Sequence, residues 1–137
     1  MWMKRSLLLG PRVALVATER QFRAAKRAAG ISCTDPLLTS TMAACTHSYN
    51  DGYGDLVCIV GINLQAARGR DGIDVAALLV HEAVHVWQHV RARLGPGDLG
   101  QEMEAYAVQN IVANLMHGYL AISSCSRSAS KPKPLPF

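Results

Sequence analysis

Asp74-Val75-Ala76-Ala77-Leu78-Leu79-Val80-His81-Glu82-Ala83-Val84-His85-Val86-Trp87-Gln88-His89-Val90 reads as one continuous helix, free of Gly and Pro and with an aspartate near its start, where the helix dipole favours negative charge. Between Val75 and Val90 the only residue that is always charged is Glu82. Burying an unpaired carboxylate costs several kcal/mol, so Glu82 requires a partner. Residues four apart on a helix differ by only about 40° in direction, which sets His81 and His85 side by side. Two neutral imidazoles so placed can grip one metal ion. Glu82 projects about 100° from His81, close enough to act on a water held there without itself taking a coordination position. The plain alternative is a chance H-E-x-x-H in a histidine-rich helix.

Downstream, Leu94-Gly95-Pro96-Gly97-Asp98-Leu99-Gly100 must break this helix, and a second reads from Gln101 to about Ile122. Its apolar stripe is Val108, Ile111, Val112, Leu115 and Tyr119, and Glu104 lies one turn before Val108 on the same face. An inward carboxylate opposite two histidines is most simply a third metal ligand, leaving one coordination position open, as a catalytic zinc site requires. Glu102, about 160° from Glu104 in projection, faces nearer to solvent or supports a ligand. His89, one turn beyond His85, reads as a cleft-wall or surface residue rather than a fourth ligand. Tyr106, His117, Tyr119, His47 and Tyr49 are the side chains that could stabilise a developing oxyanion, although Tyr106 points about 200° away from Glu104.

Upstream, Arg12 to Ala17 reads as a short strand, and Thr18 caps a helix from about Glu19 to Ala29 that Gly30 closes. A β-hairpin follows, with arms at about Met42 to Tyr49 and Leu56 to Ile62 and a turn within Asn50-Asp51-Gly52-Tyr53-Gly54. A two-residue turn at Asp51-Gly52 would set Cys45 opposite Cys58, where a cross-strand disulfide becomes geometrically available. The four cysteines include no C-x-x-C pair and read otherwise as buried thiols. From Ser123 the chain turns Ser-, Lys- and Pro-rich, so residues 1–126 read as the domain and 127–137 as an extended tail.

With 137 residues, half of them apolar and 18% charged, the chain has room for one domain and one core. The net charge of +4 includes Arg20, Arg23 and Arg27 on one helical face, a pattern more often a solvated surface than a nucleic-acid site. The basic and apolar start, Met1 to Leu9, is interrupted by Gly10-Pro11 and makes a poor signal peptide. No apolar run approaches the ~20 residues that cross a bilayer, so no membrane role is expected. A cytoplasmic location in a host cell, or association with a virion, is the expectation.

His81, Glu82, His85 and Glu104 resemble the gluzincin arrangement, in which eighteen residues separate the second histidine from the glutamate in some aminopeptidases. The metzincin pattern needs a Gly at 88 and a His at 91, where this chain has Gln88 and Arg91. Leu79 to Gln88, with Glu102-Met103-Glu104-Ala105-Tyr106-Ala107, is also similar to small uncharacterised H-E-x-x-H proteins of tailed bacteriophages. The resemblance implies an α+β zincin-like fold: a small twisted sheet, an N-terminal helix, an active-site helix and a second long helix carrying the third ligand. It implies a Zn2+ cofactor and hydrolysis of peptide bonds by a zinc-bound water that Glu82 activates. It also implies an extended substrate added to an edge strand, for which Leu56, Val57, Cys58, Ile59 and Val60 are the expected residues. Larger gluzincins carry an Asp four residues after the ligand glutamate; Val108 stands there. The partners expected are a peptide or protein substrate and a phage or host protein. The rival readings are a non-catalytic zinc-stabilised binding or virion-associated protein, a DNA-associated protease, and a zinc hydrolase of cell-wall peptides.

Overall fold

A computed structural model describes residues 1–3, 10–38, 41–97 and 99–129, the last four by backbone alone. Thr18 accepts a hydrogen bond from the Gln21 N–H at 3.2 Å and starts α1, Glu19–Ala28, directly after strand β1, Arg12–Val16. Just past its end, Gly30 takes φ 70°, a left-handed conformation that favours glycine. The hairpin comprises β2, Ala44–Asn50, and β3, Leu56–Ile62. A short helix α2, Leu64–Arg68, follows, capped by Asn63, whose side chain accepts from the N–H groups of Gln65 and Ala66. The motif helix α3 spans Gly72–Leu94 and α4 spans Gln101–Ala129. Asp71 caps α3, its carboxylate accepting from the Asp74 N–H at 2.8 Å, and Asp74 lies in the first turn.

The three strands form one mixed sheet in the order β1-β3-β2, with β1 parallel and β2 antiparallel to β3. The architecture is α+β. Alternation along the strands splits the core in two. Val13, Leu15, Cys58, Val60 and Ile62 pack with α3 and α4 on one face. Ala14, Val16, Val57 and Ile59 pack with Phe22 and Ala25 of α1, and with Leu37, on the other.

This order corrects the expectation for the substrate strand. Leu56, Val57, Cys58, Ile59 and Val60 lie on the central strand, paired on both sides, so β3 has no free edge to offer. The outer side of β1 is bridged by Trp2, opposite Ala14, and the Met3 N–H donates to the Val13 carbonyl at 2.9 Å. Among the described residues the unpaired edge belongs to β2. Hydrogen bonds from Asn63 N–H to Ala43 O and from Asp51 N–H to Asp55 O bracket the hairpin and put the odd-numbered residues of β2 at its hydrogen-bonded sites. The N–H and C=O groups of Ala44, Thr46 and Ser48 therefore face the open side.

The turn departs from a two-residue loop. Asp51 accepts from the N–H groups of Tyr53 and Asp55 at 2.8 and 2.9 Å and organises a longer connection, 51–55. That length shifts the register by three: Cys45 stands opposite Gly61 and Cys58 opposite Ser48. The two cysteines project to opposite faces of the sheet, which rules out the cross-strand disulfide, and both are free thiols.

The second long helix also exceeds its expected end. Helix α4 continues to Ala129, and within it the Ser123 and Ser124 hydroxyls donate back to the Leu120 carbonyl at 3.1 and 2.7 Å, which keeps both satisfied without leaving the helix. The remainder of the expected tail, 130–137, and the signal-like residues 4–9 lie outside the described residues. Among those described, no helix is long and apolar enough to cross a membrane.

Candidate metal centre

Helix α3 lies against β2 and α4, burying Val75, Leu79, Ala83, Val86 and Val90. This seam leaves His81 exposed and His85 partly exposed on another flank. Their Nε2 atoms approach to 3.0 Å, with the rings edge to face and 4.7 Å between centroids. Two nitrogens on one tetrahedral zinc at ordinary Zn–N lengths stand about 3.3 Å apart, so the spacing of the pair is close to what such a site needs.

The Gln88 side-chain oxygen lies 2.9 Å from His85 Nδ1. An amide oxygen only accepts, so this contact makes Nδ1 the protonated nitrogen and leaves the Nε2 lone pair directed toward His81. Support for His85 thus comes from Gln88, three residues along its own helix, rather than from Glu102, which is exposed on α4. The i, i+3 spacing was a usable sequence signal.

Glu82 is 3% exposed, on the sheet side of α3. The Thr46 hydroxyl, from the open-edge strand, donates to its carboxylate at 2.6 Å. This is the partner that a lone carboxylate in an apolar helix demands, and it comes from an element thirty-six residues away. Thr46 had no local sequence signal, because only the strand order and register carry it to Glu82.

Glu104 turns toward α3 and meets Arg91, with Nε 2.9 Å from its carboxylate. Arg91 also donates to the Gly97 carbonyl at 2.7 Å, tying the α3–α4 turn. Arg91 lies six residues beyond His85, about 120° around the helix and about 9 Å along it. Glu104 therefore sits on a different flank from the imidazoles. Among the described residues no group of three or more His, Cys, Asp or Glu is placed to hold a metal ion. His81 and His85 fit zinc; Glu104, as it stands, does not join them.

The other expected residues are dispersed. His47 and Tyr49 lie on the α1 face of the sheet, opposite Thr46, so neither reaches the α3 site. His47 Nε2 contacts the Leu37 carbonyl at 2.7 Å and its Nδ1 lies 3.2 Å from Asp35. The Tyr49 hydroxyl donates to Asp35, and burial together with that bond raises its pKa. Tyr106 is 66% exposed and His117 is exposed, both on α4, while His89 is half-buried on α3. Tyr119 lines a groove of about 710 Å³ between α3 and α4 with Leu79 and Met116, and none of the α3 histidines lines it.

Compared with protein-family models, curated proteins and solved structures, the chain matches none.

Proposed function

We propose that this chain is a zinc-dependent peptidase of the zincin type, with His81 and His85 as metal ligands and Glu82 as general base. The observation that carries this reading is the 3.0 Å approach of the two Nε2 atoms on the same helix whose Glu82 carboxylate is held by Thr46 of the open-edge strand. Zinc, when bound, supplies a Lewis acid that polarises a carbonyl and makes water a nucleophile near neutral pH. Gln88 keeps His85 in the tautomer that leaves Nε2 free. The outward N–H and C=O groups of Ala44, Thr46 and Ser48 bind an extended peptide by strand addition, setting its backbone alongside Glu82. Glu82 takes the proton from the attacking water and passes it to the leaving amine. Glu104 becomes the third protein ligand only by leaving Arg91 and by a shift of α4 against α3.

The test is metal content together with peptide-library cleavage for wild type and Glu82→Gln. The variant should retain zinc and fold while losing on the order of 10²-fold or more in turnover. Unchanged turnover, or loss of zinc with the substitution, rejects Glu82 as the base.

A second reading is a zinc-dependent binding protein, phage- or host-associated, in which a partner completes the site. It is favoured by the Arg91–Glu104 pair, which leaves the histidine pair as the ready donors. Zinc binding without cleavage by wild type would favour it.

A further inference from the structure

We infer that Thr46 is a positioning residue for Glu82, linking the substrate-binding edge of the sheet to the acid–base carboxylate. The inference rests on the peptidase reading and adds to it a residue outside the H-E-x-x-H motif. The geometry is specific. Thr46 lies on β2, opposite Val60, at a site whose backbone groups face the open edge. Its side chain stands perpendicular to the sheet, on the α3 face, where its hydroxyl reaches Glu82 at 2.6 Å.

A buried carboxylate at the end of three rotatable bonds has several rotamers available unless something holds it, and a hydroxyl donor to a carboxylate is a short, strong restraint. Glu82 is 3% exposed, so this bond is largely shielded from bulk solvent. The same residue thus presents its main chain to an incoming strand and its side chain to the group that moves the proton. A peptide paired with β2 at Thr46 fixes the strand that holds the base. Among the described residues, the side chain that donates to the Glu82 carboxylate is that of Thr46.

The experiment compares Thr46→Val, Thr46→Ser, Glu82→Gln and the Thr46→Val/Glu82→Gln double variant with wild type. Each is measured for zinc content, for kcat and KM on a peptide selected from the library, and for urea unfolding of the zinc-free protein. Val keeps the shape of Thr and removes the donor; Ser keeps the donor. Thr46→Val should lower kcat about tenfold or more while KM and zinc content stay near wild type, as for a group that acts on the chemical step. Thr46→Ser should recover most of that loss, and Thr46→Val should add nothing further in the Glu82→Gln background. Because the amide oxygen of Gln still accepts from Thr46, the unfolding cycle is run with Glu82→Met, against which Thr46→Val should be non-additive. Additive unfolding energies, a loss that Ser does not recover, or an equal loss in the Glu82→Gln background would overturn the inference. If wild type itself cleaves nothing, the peptidase reading fails and this role falls with it, whereas non-additive unfolding would still mark the Thr46–Glu82 bond as structural.

Discussion

Arg91 and Glu104 form an ion pair of 2.9 Å across the turn between the motif helix and its successor, and the arginine also holds the Gly97 carbonyl at 2.7 Å. The glutamate whose spacing suits a third zinc ligand is therefore engaged by a competitor within its own chain. Both side chains of the pair are more than a third exposed, at 35% and 40%, so the pair stabilises the fold weakly.

Zinc affinity, measured against a chromophoric chelator, should separate these roles. Wild type should bind about one zinc per chain, and His81→Ala or His85→Ala should weaken binding far more than His89→Ala or Glu102→Ala. Gln88→Ala should cost about 10–100-fold, the usual loss when the support of a metal-bound histidine is removed. If Glu104 changes partner to join the metal, Arg91→Met should tighten zinc and Glu104→Gln should weaken it. Unchanged affinity in both variants would identify the two histidines as the chain's own donors.

On the opposite face of the sheet, Lys26 is 4% exposed and donates to the carbonyls of Cys33 and Asp35 at 2.8 and 3.1 Å, pinning the loop after α1. Lys26→Met should destabilise the protein by about 2–3 kcal/mol in urea unfolding, because the buried ammonium's hydrogen bonds to two carbonyls are lost. Zinc affinity should be unaffected.

Asp35 adds a pH signature. Burial alone would raise its carboxyl, but hydrogen bonds from Cys33, Tyr49 and its own backbone, with Lys26 nearby, outweigh burial and hold it at about 2. A carboxyl whose pKa is depressed on folding contributes stability above its ordinary value, and that contribution is lost as pH falls through the folded value. The stability difference between wild type and Asp35→Asn should therefore be steady above about pH 5 and shrink between about pH 4 and 2. A difference that stays constant down to pH 2 would show that the carboxylate charge contributes nothing.

Gly61 on the central strand leaves no room for a side chain: a Cβ there would stand 2.5 Å from Leu37 Cδ1 and 3.2 Å from its Cγ. Leu37 is itself 5% exposed, and its N–H and carbonyl are engaged by Glu19 and His47. Gly61→Ala should cost about 1–3 kcal/mol, as overpacking of a closed core does. An unaltered unfolding midpoint would mean that Leu37 yields freely.

What the sequence determined by itself is what one element decides alone. The 3.6-residue period set His81 beside His85 and Glu82 off their flank, Thr18 and Gly30 bounded α1, and the apolar run of residues 56–62 is a strand with those limits. The need of Glu82 for a partner was equally legible, since the cost of burying a charge does not depend on the fold. The identity of that partner was not. Thr46 meets Glu82 only because the sheet runs β1-β3-β2, with β2 outermost and over α3. A turn organised by Asp51 reset the hairpin register and parted Cys45 from Cys58, and the α3–α4 turn carried Glu104 to Arg91 instead of to the histidines. Each outcome hangs on how two elements lie against each other. Turn length and packing set that relation, and periodicity within either element carries no record of it.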